Sequence, residues 1–193
     1  MNKLLLATVL AATFGFSAVS QAAVPATIPA AAATAPTPGA GDVSSAFLEW
    51  SGFAKVIPGN DIVITGARSG AVEDGVLTVK GDGTFETKTP IILESRLYWD
   101  QGSGSKTAGD LFATNWTVDA DGITATWGAN STAGMDIKMT DIASGTELTS
   151  KAGANGVSTV TLSVNSVSPV TSATPLNLLE PLVVNANVLA TVA

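Results

Sequence analysis

The sequence predicts an all-β domain, an antiparallel sandwich in which each sheet turns one face inward. Two observations carry that expectation. Short stretches of alternating apolar and polar residues recur, broken by Gly, Asp, Asn and Pro at roughly 8–12-residue spacing. After the N-terminal leader, no stretch sustains the 3.6-residue period of an amphipathic helix. The clearest stretch is the last. Leu182, Val184, Ala186, Val188, Ala190 and Val192 fall at every second position, so an extended chain puts them on one face. Val183 and Leu189 make the other face less polar than a wet face requires. The strand is therefore expected to be internal or to line a groove.

Taken in order, the chain opens on a positive start, Met1-Asn2-Lys3, followed by an apolar run from Leu4 to Ala18. Ser20-Gln21-Ala22 supplies small residues where a signal peptidase reads, so residues 1–22 are expected to be a secretory leader cut after Ala22. The run is shorter than the roughly 20 apolar residues a spanning helix needs. No transmembrane segment is expected in the mature chain.

Ala23 to Ser45 is rich in Pro and Ala, and Pro25, Pro29, Pro36 and Pro38 prevent a continuous helix. Two readings of this extension stand side by side. One is a flexible linker. The other is a strand lent to a neighbour, because Val24, Ala26, Ile28, Ala30 and Ala32 alternate. The prolines remove backbone donors and so weaken a strand that must pair on both sides.

The folded domain is expected over residues 46–193. Ala46, Leu48 and Trp50 share the inward face of its first strand, and Pro58-Gly59-Asn60-Asp61 is a turn by composition. Ile62 to Thr65 is a further strand. Val76–Val79 and Thr84–Thr87 flank Lys80-Gly81-Asp82-Gly83, a hairpin signal. Asp100 to Gly109 reads as a polar, mobile loop after Leu97-Tyr98-Trp99. Thr114–Val118 and Ile123–Trp127 flank Asp119-Ala120-Asp121-Gly122, a second hairpin signal. Met135, Ile137 and Met139 alternate, as do Val160, Leu162 and Val164. The spacing predicts about eight to ten strands. Trp50, Phe85, Trp116, Ile137, Leu162 and Val188 are the expected core.

Composition narrows function. Nine Lys and Arg face sixteen Asp and Glu, a net charge of −7, which argues against nucleic acid as a partner. The absence of Cys leaves stability to the core alone, and the absence of His removes Ser-His-Asp and Cys-His catalysis and His-ligated metals. Asp119 and Asp121 begin like a calcium loop, but the remaining oxygen ligands do not follow. Glu73, Glu86 and Glu94 are scattered acids with nothing to fix a catalytic spacing. No enzymatic activity, cofactor or metal is expected. Tyr98, Trp99 and Trp127 are the residues a glycan- or protein-binding module would use, against the plainer reading that they are core or edge aromatics.

The leader, the opening strand Phe47-Leu48-Glu49-Trp50-Ser51-Gly52 and the alternating end at Val184 to Val192 together resemble bacterial fimbrial subunits, the pilins of chaperone–usher assemblies. The resemblance is one of pattern over the mature domain. It implies an immunoglobulin-like β-sandwich that is incomplete by itself. A chaperone strand fills its groove in the periplasm, and the next subunit's N-terminal extension fills it in the filament. Carried over, Val24, Ile28 and Ala32 are the plugs of the lent strand, and Leu182, Val184, Val188 and Val192 line the groove. The partners are then copies of this chain or related subunits, and the location is the cell surface. The alternative function is a monomeric exported binding module.

Overall fold

A computed structural model of the protein describes residues 33–50, 54–172 and 174–193. Two antiparallel sheets pack as a sandwich. The first holds β1 (Val43–Glu49), β2 (Lys55–Ile57), β8 (Thr114–Trp127), β11 (Ala154–Val157) and β13 (Leu182–Thr191), in the order β11-β8-β13-β1-β2. The second holds β3 (Ile62–Thr65), β4 (Val76–Val79), β5 (Phe85–Thr89), β6 (Ile91–Asp100), β7 (Lys106–Leu111), β9 (Ile137–Asp141), β10 (Thr146–Leu148) and β12 (Thr159–Ser166). Its spine is β10-β9-β12, with β5 and β6 beyond β12 and β4 and β3 beyond those.

β13 occupies the centre of the first sheet, paired with β1 from Asn185 to Thr191 on one edge and with β8 from Leu182 to Thr191 on the other. Its burial alternates strictly: Leu182, Val184, Ala186, Val188 and Ala190 face the core and the residues between them are half-buried. Between the sheets, these side chains meet Phe85, Ile91, Leu93, Met139, Val160, Leu162 and Val164. A strand with two backbone partners and one dry face has its register fixed, because a one-residue slip would turn every one of those side chains outward.

Of the six residues expected in the core, Trp50, Phe85, Trp116, Leu162 and Val188 are buried, and Ile137 is half-buried. The hairpin between β4 and β5 forms as expected. Gly83 takes a φ of +85°, and the Asp82 carboxylate accepts the Thr84 N–H at 3.0 Å. The Thr84 hydroxyl, and after it that backbone bond, holds the Asp82 carboxyl below its ordinary value.

Three expectations are corrected. The described residues contain thirteen strands rather than eight to ten, because β2, β10 and β11 are only three or four residues long. Such pieces are too short for alternation to show. Asp100–Gly109 is not all loop: β7 starts at Lys106 and pairs with β6. The turn is held by the Asp100 carboxylate, which accepts the N–H groups of Gly102, Ser103 and Gly104. Finally, Asp119–Gly122 does not reverse the chain.

An open edge between the sheets as candidate functional site

The second hairpin signal proves to be a bulge. Thr114–Trp127 is one continuous strand, and its whole length runs along β13. Val118 lies opposite Val188 and Ile123 opposite Ala186, so four residues of β8 face Asn187 alone. Gly122 supplies a positive φ of 69° there, and the Asn187 amide donates to the Asp119 carboxylate at 2.9 Å. The physical reason is that Asp and Gly serve a bulge as well as a turn. The apolar residues beyond, Ile123 and Ala125, then rejoin the same strand instead of starting a new one.

This bulge marks where the sandwich stops being closed. The lower part of β8 is covered on its outer edge: Ala154 and Val157 of β11 lie opposite Trp116 and Thr114, and the Val118 N–H donates to the Thr149 carbonyl at 3.1 Å. Beyond Val118, among the described residues, no strand pairs with that edge of β8. Across from it, β10 pairs with residues 139–141 of β9 and leaves the start of β9 uncovered. The two bare edges frame a groove of about 430 Å³. Its apolar lining includes Ile123, Ala125, Met135, Ile137, Met139 and Leu148, and polar residues including Asp119, Asp136, Lys138 and Glu147 also line it. Ile123, Ala125, Met135 and Ile137 are only half-buried although they pack on the core. They are core-packed residues that, among the described residues, have no strand beside them on the groove side.

Among the described residues, no strand pairs with the backbone of Ile123 and Ala125 along this edge. The Trp50 N–H donates to the Val184 carbonyl at 2.9 Å, so the even-numbered residues of β13 direct their backbone toward β1. The odd-numbered ones direct theirs toward β8. By the alternation of an antiparallel ladder, Thr124 and Thr126 face β13, while the amides and carbonyls of Ile123 and Ala125 face the groove. An apolar trough beside unpaired amides and carbonyls is what an added strand fits.

The closed half depends on Gly153. A Cβ there would stand 1.8 Å from the Trp116 carbonyl oxygen, so only glycine lets the crossing from β10 to β11 lie against β8. Gly153→Ala is expected to destabilise the domain by roughly 1–3 kcal/mol through overpacking. Thermal melts of the purified variant check this, and an unchanged midpoint would contradict it.

The residues singled out in the sequence are dispersed. Val24, Ile28 and Ala32, like the cleavage site after Ala22, lie outside the described residues. Leu182, Val184, Val188 and Val192 are buried in the chain's own core and do not line this groove. Glu86 pairs with Lys80 at 3.4 Å on the surface, and Glu94 is buried beside Arg96. Trp127 is buried and donates its indole N–H to the Glu180 carbonyl. Tyr98 and Trp99 are half-buried on β6, with the Lys106 ammonium 5.9 Å from the Tyr98 ring centre. They do not form one aromatic platform with Trp127. Ile123 and Ala125 carried a signal in the sequence, their alternation, but the turn-like Asp119–Gly122 disguised which strand they belong to. Comparison with protein-family models, curated proteins and solved structures gave no significant match.

Proposed function

We propose that this chain is an exported structural subunit of a bacterial surface filament, assembled by strand addition. The N-terminal extension of one copy lies along the open edge of β8 in another. The observation that supports this reading is the groove itself: bare strand edges in both sheets, half-buried core residues between them and unpaired backbone at Ile123 and Ala125. The acceptor edge in this reading is β8, one strand over from the groove-lining role the resemblance gave to β13. The immunoglobulin-like, incomplete sandwich implied by that resemblance accords with a gap of this kind. A periplasmic chaperone would guard the same edge during export, since an exposed edge beside apolar side chains invites wrong pairing. The leader that the sequence leads one to expect at residues 1–22 supports the export step.

The test uses the chain beginning at Ala23. At high concentration it is expected to form linear polymers, seen by light scattering and electron microscopy. Removal of residues 23–32 is expected to leave a folded monomer. A full chain that stays monomeric at high concentration, or a truncated chain that still polymerises, overturns the reading. If the monomer instead binds a glycan and loses it on Trp99→Ala, the binding-module function replaces it.

A further inference from the structure

We infer that Asn155 is a site of spontaneous covalent modification, in which the Gly156 amide nitrogen closes a ring on the Asn155 side chain, and that Asn115 sets the pace of that closure. The inference stands independently of the filament reading.

The sequence supplies the reacting pair. Asn155 is the one asparagine of the chain that a glycine follows. The backbone nitrogen after an asparagine reaches its side-chain carbonyl carbon through a five-membered ring. A side chain on the attacking residue hinders that approach, and glycine has none. The structure puts the pair in the open. Asn155 and Gly156 are both exposed on β11, and a Cβ added to Gly156 would meet nothing within 4 Å. The ring has room to form.

The pair also sits in a bulge. Ala154 lies opposite Trp116 and Val157 opposite Thr114, so Asn155 and Gly156 of β11 face Asn115 of β8 alone. Gly156 takes a φ of 65°, the left-handed conformation of a glycine in such a bulge. Its N–H donates to Asn115 Oδ1 at 3.0 Å. That bond holds the nitrogen that has to attack. β11 is four residues long and lies at the end of its sheet. A short edge strand opens locally at a free energy well below that of global unfolding. Ring closure passes through this opening, once the Gly156 N–H has left Asn115.

The chemistry balances without any other reagent than water. Hydroxide takes the Gly156 amide proton, and the nitrogen bonds to Asn155 Cγ. The Cγ–Nδ2 bond breaks, and ammonia leaves with a proton from water. Water then opens the succinimide on either side. Attack at Cγ gives aspartate. Attack at the former backbone carbonyl gives isoaspartate, in which the main chain runs through Cγ. The net reaction is hydrolysis of an amide, with nothing oxidised or reduced. Both products add a negative charge. Isoaspartate also adds a methylene to the main chain of β11, which shifts Gly156 out of register with Asn115. The next residue is Val157, whose carbonyl accepts the Trp116 indole N–H.

The test incubates the chain beginning at Ala23, folded and in urea, at neutral and mildly alkaline pH. Peptide mass mapping follows the conversion of each asparagine. Asn155 is expected to convert before every other asparagine, faster as pH rises, and more slowly in the folded chain than in urea. Asn115→Ala is expected to speed the folded reaction by roughly two- to tenfold, the worth of one hydrogen bond. Asn115→Asp keeps an acceptor oxygen and is expected to stay within about twofold of the wild type. Hydrogen exchange of the wild-type chain checks the gate without a variant: the Gly156 amide is expected to exchange more slowly than in urea. Another asparagine converting first, or a folded chain that keeps Asn155 intact while the chain in urea converts, would overturn the site. An unprotected Gly156 amide, equal rates folded and in urea, or an Asn115→Ala rate matching the wild type would overturn the role of Asn115.

Discussion

Glu94→Gln is expected to lower the melting temperature by roughly 6–12 °C, the equivalent of about 3 kcal/mol in a domain of this size. Glu94 is a buried acid near the middle of β6, its side chain 11% exposed beside an Arg96 side chain that is 15% exposed. One carboxylate oxygen accepts the Arg68 N–H at 2.9 Å. The other accepts the Ser69 N–H at 3.1 Å and two guanidinium bonds from Arg96 at 2.9 and 2.7 Å. Arg96 also reaches the Gly109 carbonyl, so one ion pair joins β6, β7 and the turn at residues 67–69. Arg68 and Ser69 sit at φ values of 57° and 60°, a left-handed pair that non-glycine residues adopt only when held. The carboxylate holds them. An amide keeps the shape but offers one acceptor oxygen instead of two and leaves Arg96 without its counter-charge.

The same group makes the fold acid-sensitive. Burial pushes the Glu94 carboxyl up, but the Arg68 N–H, the Arg96 guanidinium and the Ser69 N–H outweigh it, so the carboxyl lies below its ordinary value of 4.5. Asp141 behaves alike. Its burial is outweighed by the Ser144 hydroxyl and by the N–H groups of Thr161, Ala143 and Ser144, which hold it below 3.8. A carboxyl lowered on folding gives its stability in full above the unfolded value and loses it as pH falls through the folded one. Stability is therefore expected to fall as pH drops below 4.5 for Glu94 and below 3.8 for Asp141. Melting curves of wild type and Glu94→Gln down this range should converge on acidification. Curves that stay parallel, or a variant melting within about 1 °C of wild type at neutral pH, would remove Glu94 from this role.

The sandwich was legible where alternation is long. β13 shows it over ten residues and β12 over eight, and both have one dry face. It was illegible where strands are short or covered differently along their length. β6 is buried at Leu93, Glu94 and Ser95 in succession, where its pairing with β12 gives way to pairing with β3 before β7 takes its end. Glu94 itself looked like one scattered acid, because nothing local shows that the backbone N–H groups of Arg68 and Ser69 lie against it. The groove was hidden for a different reason. An open edge leaves no mark on the residues beside it: Ile123, Ala125 and Ile137 have the alternation of ordinary core positions. Only the assembled sheets show that, among the described residues, no strand lies beside them.

Trp116→Ala is expected to cost about 3–5 kcal/mol, the range for removing a fully buried large aromatic, and so to lower the melting temperature by roughly 6–20 °C. The indole is fully buried, and its strand neighbours on either side are small: Ala190 of β13 and Ala154 of β11. One large ring thus fills the space that three side chains would otherwise share, and truncation to alanine leaves a row of three alanines over a void. Its N–H donates to the Val157 carbonyl at 2.9 Å, which ties β11 to β8. Trp116→Phe keeps most of the volume and loses that bond, so it is expected to cost only about 1–3 kcal/mol. The local consequence separates this residue from a generic core position. The crossing from β10 to β11 lies against Trp116 through Gly153, and it carries the exposed Lys151. With the indole gone, β11 loses the bond from the ring to its Val157 carbonyl and the ring it packs beside, and the closed half of the sandwich edge should open like the half beyond Val118. Limited trypsin digestion of Trp116→Ala should therefore cut after Lys151 well before other sites, under conditions where Trp116→Phe and the wild type resist. Uniform digestion at all sites, or no gain at Lys151, would show that the ring stabilises the domain without holding the edge closed.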